Sequence, residues 1–304
     1  MGWRIVLISN TSNIHIKNRQ LCIDQENQNL HLPLEDISAL IIDNPHTSLN
    51  SYVLSECAEV NAILISVDKS HIPNGIFIPF SPHSRHSKVI LQQINLGQVQ
   101  KKQLWQGIIK QKITNQALTL QNKTNKQTAE FLYKTALNVK SGDSTYLEST
   151  AAQYYFKYLF SAEFSRKNED FYNACLNYTY AITRAIIAKY LVAYGFIPSL
   201  GIFHANDLNS FNLADDIIEP YRPLVDEYIL DIYPPKHYTN TKQYLEPKNK
   251  QDLTKICQQQ VLIKNEKMKW TNAIEQTVIS LSRYLNGNID DLELPQRFYH
   301  EYRE

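Results

Sequence analysis

The chain reads as an α+β protein: a small N-terminal β-domain followed by a larger all-α domain. Three observations predict this. Short apolar runs of strand length, divided by polar turns, fill roughly the first 80 residues. A polar stretch, Ser81-Pro82-His83-Ser84-Arg85-His86-Ser87, then interrupts the pattern. Beyond it, apolar positions recur at helical spacing with few breakers. The expected division is residues 1–82 as the β-rich domain, 83–90 as a linker and 91–304 as the α-helical domain.

Trp3 to Ser9 (WRIVLIS) opens as a strand, and Ile14 and Ile16 mark a short alternating one. Gln20 to Asp24, Leu30 to Leu34, Ile37 to Asp43 and Ala62 to Val67 follow as further strands. Between the last two, Leu49, Val53, Leu54 and Ala58 keep helical spacing, with Asn50 or Ser51 as the cap. Asn74-Gly75 predicts a turn ahead of a strand over Ile76 to Phe80. Past the linker, Leu91, Ile94, Leu104, Ile108, Ile109 and Ile113 predict helix over 91–116, continuing through 117–140. Glu148 to Phe164 is an aromatic-rich amphipathic helix, and Tyr172 to Tyr194 a long buried one ended by Gly195 and Pro198. Leu213 to Ile232 and Gln251 to Leu285 are further helices, Asn240 to Lys250 a polar loop, and the chain from Gly287 onward a mobile polar tail.

A hydrophobic share of 43% with 20% charged residues over 304 positions supports a sizeable core without staples. Cys22, Cys57, Cys175 and Cys257 lie far apart with no metal-ligand spacing, as in a reduced cytoplasmic protein. No apolar run approaches the roughly 20 residues that span a bilayer, and MGWRIVLISN lacks a basic region ahead of a long apolar run. The net charge of +1 hides an asymmetry. From Lys69 to Ala129 there is no Asp or Glu, while Lys69, Arg85, Lys88, Lys101, Lys102, Lys110, Lys112, Lys123 and Lys126 fall there. Such a zone suits a polyanion; a solvated helix face balanced by the rest of the fold explains it about as well.

One segment carries the candidate chemistry. In Ile197 to Val225, His204 precedes Asp216 and Glu219, which share a helix face at i, i+3. Glu148 is the candidate third ligand for a divalent cation. Each residue also has a purely structural explanation. Thr145-x-x-Glu148 fits a capping box, His204 fits a core imidazole, and Asp215 and Asp216 fit the first turn of a helix capped by Asn212. Glu219 precedes Pro220, with Pro223 close behind, and a carboxylate at such a bend is less easily explained by helix stability. Spacing alone leaves these alternatives open, because the gap from 148 to 204 says nothing of distance in space.

Several segments, in order, resemble one family. Tyr146 to Phe160 (YLESTAAQYYFKYLF), Asn173 to Arg184 (NACLNYTYAITR), Leu200 to His204, Leu213 to Asp226 (LADDIIEPYRPLVD) and Leu104 to Ala117 are similar to elements of the CRISPR-associated integrases, the Cas-one family, in its type II branch. The resemblance implies an N-terminal dimerisation domain and a helical catalytic domain. It implies Glu148, His204 and Glu219 as catalytic residues and ligands of Mg²⁺ or Mn²⁺, with Asp216 as a supporting acid. Glu219 stands where many relatives carry Asp, and Ser149-Thr150 where type II relatives often carry Gly-His. Tyr178, Tyr180, Arg184, Arg222, Lys101, Lys102, Lys110 and Lys112 are candidates for lining the site or gripping DNA. The implied function is a metal-dependent DNA integrase of CRISPR adaptation, an antiviral defence. It would insert short spacers by 3′-hydroxyl attack on repeat phosphodiesters. The implied partners are double-stranded DNA, a second copy of the chain, the Cas two protein in a heterohexamer and the type II effector nuclease. A metal-dependent nuclease of branched or double-stranded DNA and a non-catalytic basic DNA-binding subunit are the alternatives.

Overall fold

The computed structural model describes residues 2–26, 28–69, 71–80, 85–234 and 244–299. The N-terminal part comprises β1 (Arg4–Ile8), β2 (Asn13–Lys17), β3 (Gln20–Gln25), β4 (Gln28–Pro33), β5 (Ile37–Ile42), β6 (Ser48–Leu49), α1 (Ser51–Glu59), β7 (Ile63–Val67) and β8 (Pro73–Phe77). They form two four-stranded sheets, ordered β1-β5-β7-β8 and β4-β3-β2-β6. In the first, β1, β5 and β7 run parallel and β8 closes antiparallel on β7. The apolar run of β5 is what a strand covered on both faces needs. Ala39 and Ile41 join the helical core, while Leu40 packs with Ile14, Leu21, Ile23, Val53 and Cys57 between the sheets. Asn50 caps α1, its Oδ1 accepting from Val53 N at 3.1 Å.

The strand expected over 76–80 instead runs from Pro73 to Phe77, so Asn74 and Gly75 lie within it. Gly75 pairs with Ser66 beside a register shift. A Cβ there would stand 2.4 Å from Ser66 Oγ, so the residue serves close strand approach rather than a turn.

The helical part comprises α2 (His86–Ile94), α3 (Gln98–Lys123), α4 (Lys126–Leu137), α5 (Leu147–Leu159), α6 (Phe171–Ala193), α7 (Asn212–Ile218), α8 (Arg222–Ile232), α9 (Pro247–Thr254) and α10 (Trp270–Leu285). Three expectations are corrected here. Of the expected linker, residues 83 and 84 lie outside the described residues, and the chain is already helical from His86. The expected loop over 240–250 has its first residues outside the described set, and Pro247 begins α9. The stretch 251–285 is not continuous helix. Between α9 and α10 lies a hairpin of β9 (Gln260–Ile263) and β10 (Glu266–Lys269). Lys264 and Asn265, at φ 49° and 66°, make the left-handed two-residue turn that such hairpins favour. β11 (Arg297–Phe298) adds to β9, so the polar tail is pinned as far as Tyr299.

Buried ionic contacts tie the first sheet to the helices. Lys189 Nζ, on α6, donates to Ser38 O and Oγ at 3.1 and 2.8 Å, and burial pulls its ammonium down to about 8. Lys250 Nζ, on α9, meets Asp43 Oδ2 at 2.7 Å with both groups buried. No helix among the described residues is long and apolar enough to cross a membrane.

Candidate active site

Three segments far apart in sequence meet on the face of α3. Their convergence begins with the start of α5. The turn before it holds Gly142, Asp143 and Tyr146 at positive φ, and Asp143 accepts from Leu147 N at 2.9 Å and from Glu148 N at 3.0 Å. Asp143 is therefore the cap, and the expected capping box of Thr145 with Glu148 does not form. The Glu148 side chain is left free to reach outward, and its Oε1 accepts from Lys112 Nζ of α3 at 2.5 Å.

Glu219 arrives from the bend. α7 stops at Ile218, a tight 3-10 turn covers Glu219–Tyr221, and α8 starts at Arg222. Prolines at 220 and 223 leave gaps in the backbone hydrogen-bond ladder. Polar groups of α3 bond to carbonyls of this bend. Asn115 Nδ2 donates to Pro220 O at 2.7 Å and to Pro295 O at 2.9 Å, and Thr119 Oγ1 to Pro223 O at 3.1 Å. Lys112, Asn115 and Thr119 fall at i, i+3 and i+7, one helix face. That face sets Glu219 so that its Oε2 lies 2.5 Å from Lys112 Nζ, the ammonium that also holds Glu148. Arg222 Nε donates to Glu219 Oε1 at 2.9 Å. Burial pushes the Glu219 carboxyl up, but Arg222 and Lys112 outweigh it and hold it at about 2. Burial likewise lowers Lys112, and the two glutamates overcome it, leaving the ammonium raised.

His204 is set by Asp216. This aspartate is fully buried on α7 and accepts from Ile202 N at 2.5 Å, from Phe203 N and His204 N at 3.1 Å each, and from His204 Nδ1 at 2.7 Å. Gly201 allows the loop this close; a Cβ there would stand 2.2 Å from His204 O and 2.9 Å from Asp216 Oδ2. With Nδ1 held, Nε2 is the nitrogen left for a ligand. Trp105 of α3 stacks on Phe203 with centroids 4.2 Å apart and meets the imidazole edge-on at 5.6 Å. The Asp216 bond raises the His204 pKa, against a smaller opposing effect of burial, and the Asp216 and Glu219 charges add to the rise.

Glu148 and Glu219 are thus brought together through Lys112, with His204 in electrostatic reach of Glu219. As the side chains stand, no three His, Cys, Asp or Glu groups among the described residues close around one ion. Asp216 is an orienting group whose oxygens are spent on four donors. Of the other candidates, Lys112 is buried between the two glutamates. Lys102 and Lys110 are exposed and Lys101 half-buried. Arg222 lies 4.7 Å over the Tyr180 ring, with Arg166 at 5.5 Å, and the Tyr180 hydroxyl donates to buried Asp226, which also takes Tyr155 OH at 2.9 Å. Arg184 pairs with Asp215 at 2.7 Å and so braces α6 against α7. Tyr178 is a core residue, 1% exposed. Asp143, Asn115 and Trp105 escaped sequence reasoning; only Asp143, polar and just ahead of a helix, carried a local cap signal.

The family described as "CRISPR associated protein Cas1" matches residues 5–267. A CRISPR-associated endonuclease Cas1 from Neisseria meningitidis serogroup C (strain 8013) is 39% identical over 297 residues, 97% of each chain. Among solved structures, a casposase bound to integration product superposes with TM-score 0.78 at 17% identity, covering 99% of this chain and 96% of that one. A chain of a Cas6-RT-Cas1–Cas2 complex gives TM-score 0.71 at 20% identity, covering 99% of this chain and 36% of that one.

Proposed function

This chain belongs to the Cas1 family of CRISPR-associated proteins, and we propose that it is the metal-dependent DNA integrase of CRISPR adaptation. Its substrate would be a short DNA duplex whose 3′-hydroxyls attack repeat phosphodiesters. One observation carries the reading: Glu148 and Glu219, from segments far apart in sequence, are drawn to a single cationic centre beside an imidazole fixed by Asp216. The casposase carrying an integration product and the complex containing Cas1 and Cas2 support the same assignment.

The donor set fits a divalent cation. Two carboxylates, one of them buried, already share one positive group. Glu148, His204 Nε2 and Glu219 would hold Mg²⁺ or Mn²⁺, the imidazole favouring Mn²⁺. When bound, the ion would supply charge neutralisation at the phosphodiester under attack. The chain's own groups do the positioning. Asp216 fixes the imidazole, Arg222 fixes Glu219, and the α3 face fixes the bend. Lys101, Lys102 and Lys110 supply phosphate contacts along the outer surface of α3. The β-rich residues 1–82 serve homodimerisation, and the dimers join the Cas2 partner in a heterohexamer, with the type II effector nuclease as a further partner, all in the cytoplasm.

The test combines the protein with its Cas2 partner, Mn²⁺, a short duplex with free 3′-hydroxyls and a supercoiled repeat plasmid. Relaxed plasmid carrying the joined duplex is expected, and Glu148→Ala should abolish joining while folding and DNA binding persist. Cutting without joining would turn the assignment to a nuclease, and joining by Glu148→Ala would refute the catalytic role.

A further inference from the structure

The space between the two glutamates is filled by the chain itself. Lys112 Nζ lies 2.5 Å from Glu148 Oε1 and 2.5 Å from Glu219 Oε2, and the residue is 8% exposed. A divalent ion held by the same carboxylates would need the same oxygens. Neither charge set tolerates being left alone in a buried place, since an uncompensated buried carboxylate pair is strongly unfavourable. Lys112 therefore balances the pair when no metal is there. Its fit is that of a replaceable group. It meets each glutamate at one oxygen, 2.5 Å away, as a compact ammonium rather than a bidentate fork. It ends a flexible stem, whereas Arg222 is a planar group pinned over the Tyr180 ring. Glu148 is 30% exposed at its side chain, so the ammonium has a way out on that side.

We propose that Lys112 is a displaceable counter-ion: its ammonium holds Glu148 and Glu219 together in the metal-free chain, yields the space to the divalent cation, and turns to a DNA phosphate at the same site. This rests on the assignment of Glu148 and Glu219 as metal ligands. Once displaced, the ammonium adds to the positive charge of the ion and Arg222, and the phosphodiester is the anion that answers it. Metal and DNA then favour each other's binding through one lysine, a coupling that must be reciprocal.

Two measurements test this on the full chain. The first is calorimetric titration of Mn²⁺, without DNA, into the wild type, Lys112→Met and Glu148→Gln. Lys112→Met should bind Mn²⁺ about tenfold more tightly or better, and Glu148→Gln more weakly. The second needs no variant. Amine-reactive labelling of the wild type, read by peptide mass spectrometry, should rise several-fold at Lys112 when Mn²⁺ is added and stay level at Lys110. Unchanged Mn²⁺ binding in Glu148→Gln overturns the ligand assignment and the proposal with it. Weakened binding there, with no gain in Lys112→Met, overturns the displacement alone, as does a Lys112 equally protected with and without Mn²⁺.

Discussion

Replacing Asp216 by Asn tests how far the histidine is built rather than merely present. The aspartate is fully buried and accepts four bonds, three from consecutive backbone amides and one from His204 Nδ1. An asparagine of the same shape keeps one acceptor oxygen and turns an NH₂ toward donors, so at least two bonds are lost. Hydrogen bonds to a charged acceptor contribute about 1.5–3 kcal/mol each, and neighbours are not additive. A loss of about 3 kcal/mol in metal-free stability is therefore expected, read from urea unfolding. The second consequence is functional. Without its partner the imidazole loses tautomer and aim, and losses of this kind cost about 10–100-fold in metal affinity. Calorimetry with Mn²⁺ measures it. Stability within about 0.5 kcal/mol of wild type together with unchanged Mn²⁺ affinity would refute the reasoning, because that is what an ordinary surface substitution does.

Three further outcomes follow from the same geometry. Gly201→Ala pushes a methyl to 2.2 Å from the backbone oxygen of His204, which cannot yield, so a loss of about 2 kcal/mol or more in urea unfolding should come with weakened Mn²⁺ binding. For His204 the pKa is raised chiefly by the Asp216 bond, and a metal takes only the neutral ring, so Mn²⁺ affinity should fall as pH drops through a midpoint above 6.5. The Asp216 bond itself stabilises the metal-free fold below 6.5 and fades as pH rises through that raised midpoint, so the two pH dependences run in opposite senses and Asp216→Asn should shift both. Asp226 is held up at about 6 by burial, which its bonds from Tyr180 and Tyr155 only partly offset. The folded chain then binds more protons than the unfolded one between 3.8 and about 6, so stability should decline with rising pH across that window, and Asp226→Asn should flatten the decline in urea titrations at stepped pH.

The strands and helices were legible where a short-range period decided them. β5 and α6 followed from an apolar run and from helical spacing, each buried as the pattern requires. The hairpin of β9 and β10 was not, because Val261 to Ile263 is too short a run to separate strand from helix, and the turn uses Lys264-Asn265 rather than a glycine. The expected linker failed for a related reason. Polar residues at 86 and 87 describe the first turn of α2 as well as they describe a loop, since that turn needs no apolar face.

In the candidate site the acids were visible in the sequence and the role of Lys112 was not. Glu219 drew notice at its proline bend, whereas Glu148 fitted a helix cap locally and was singled out by the family resemblance. Lys112 sat among eight other basic residues in a window without acids, where charge counting assigns every lysine to solvent or to a polyanion. What distinguishes it is its helix face. Lys112, Asn115 and Thr119 are polar residues buried in a row, and each ends on a group from another segment: the two glutamates, then the carbonyls of Pro220 and Pro223. Polar residues buried in a row are costly unless such partners exist. The sequence does not mark this row, because α3 carries polar residues on every side of it, Lys110, Gln111, Thr114 and Gln116 among them. Burial singles the row out, and burial is decided by segments that arrive from elsewhere in the chain. Only the fold brings the bend at Pro220 onto that face, and in doing so it carries Glu219 to Glu148.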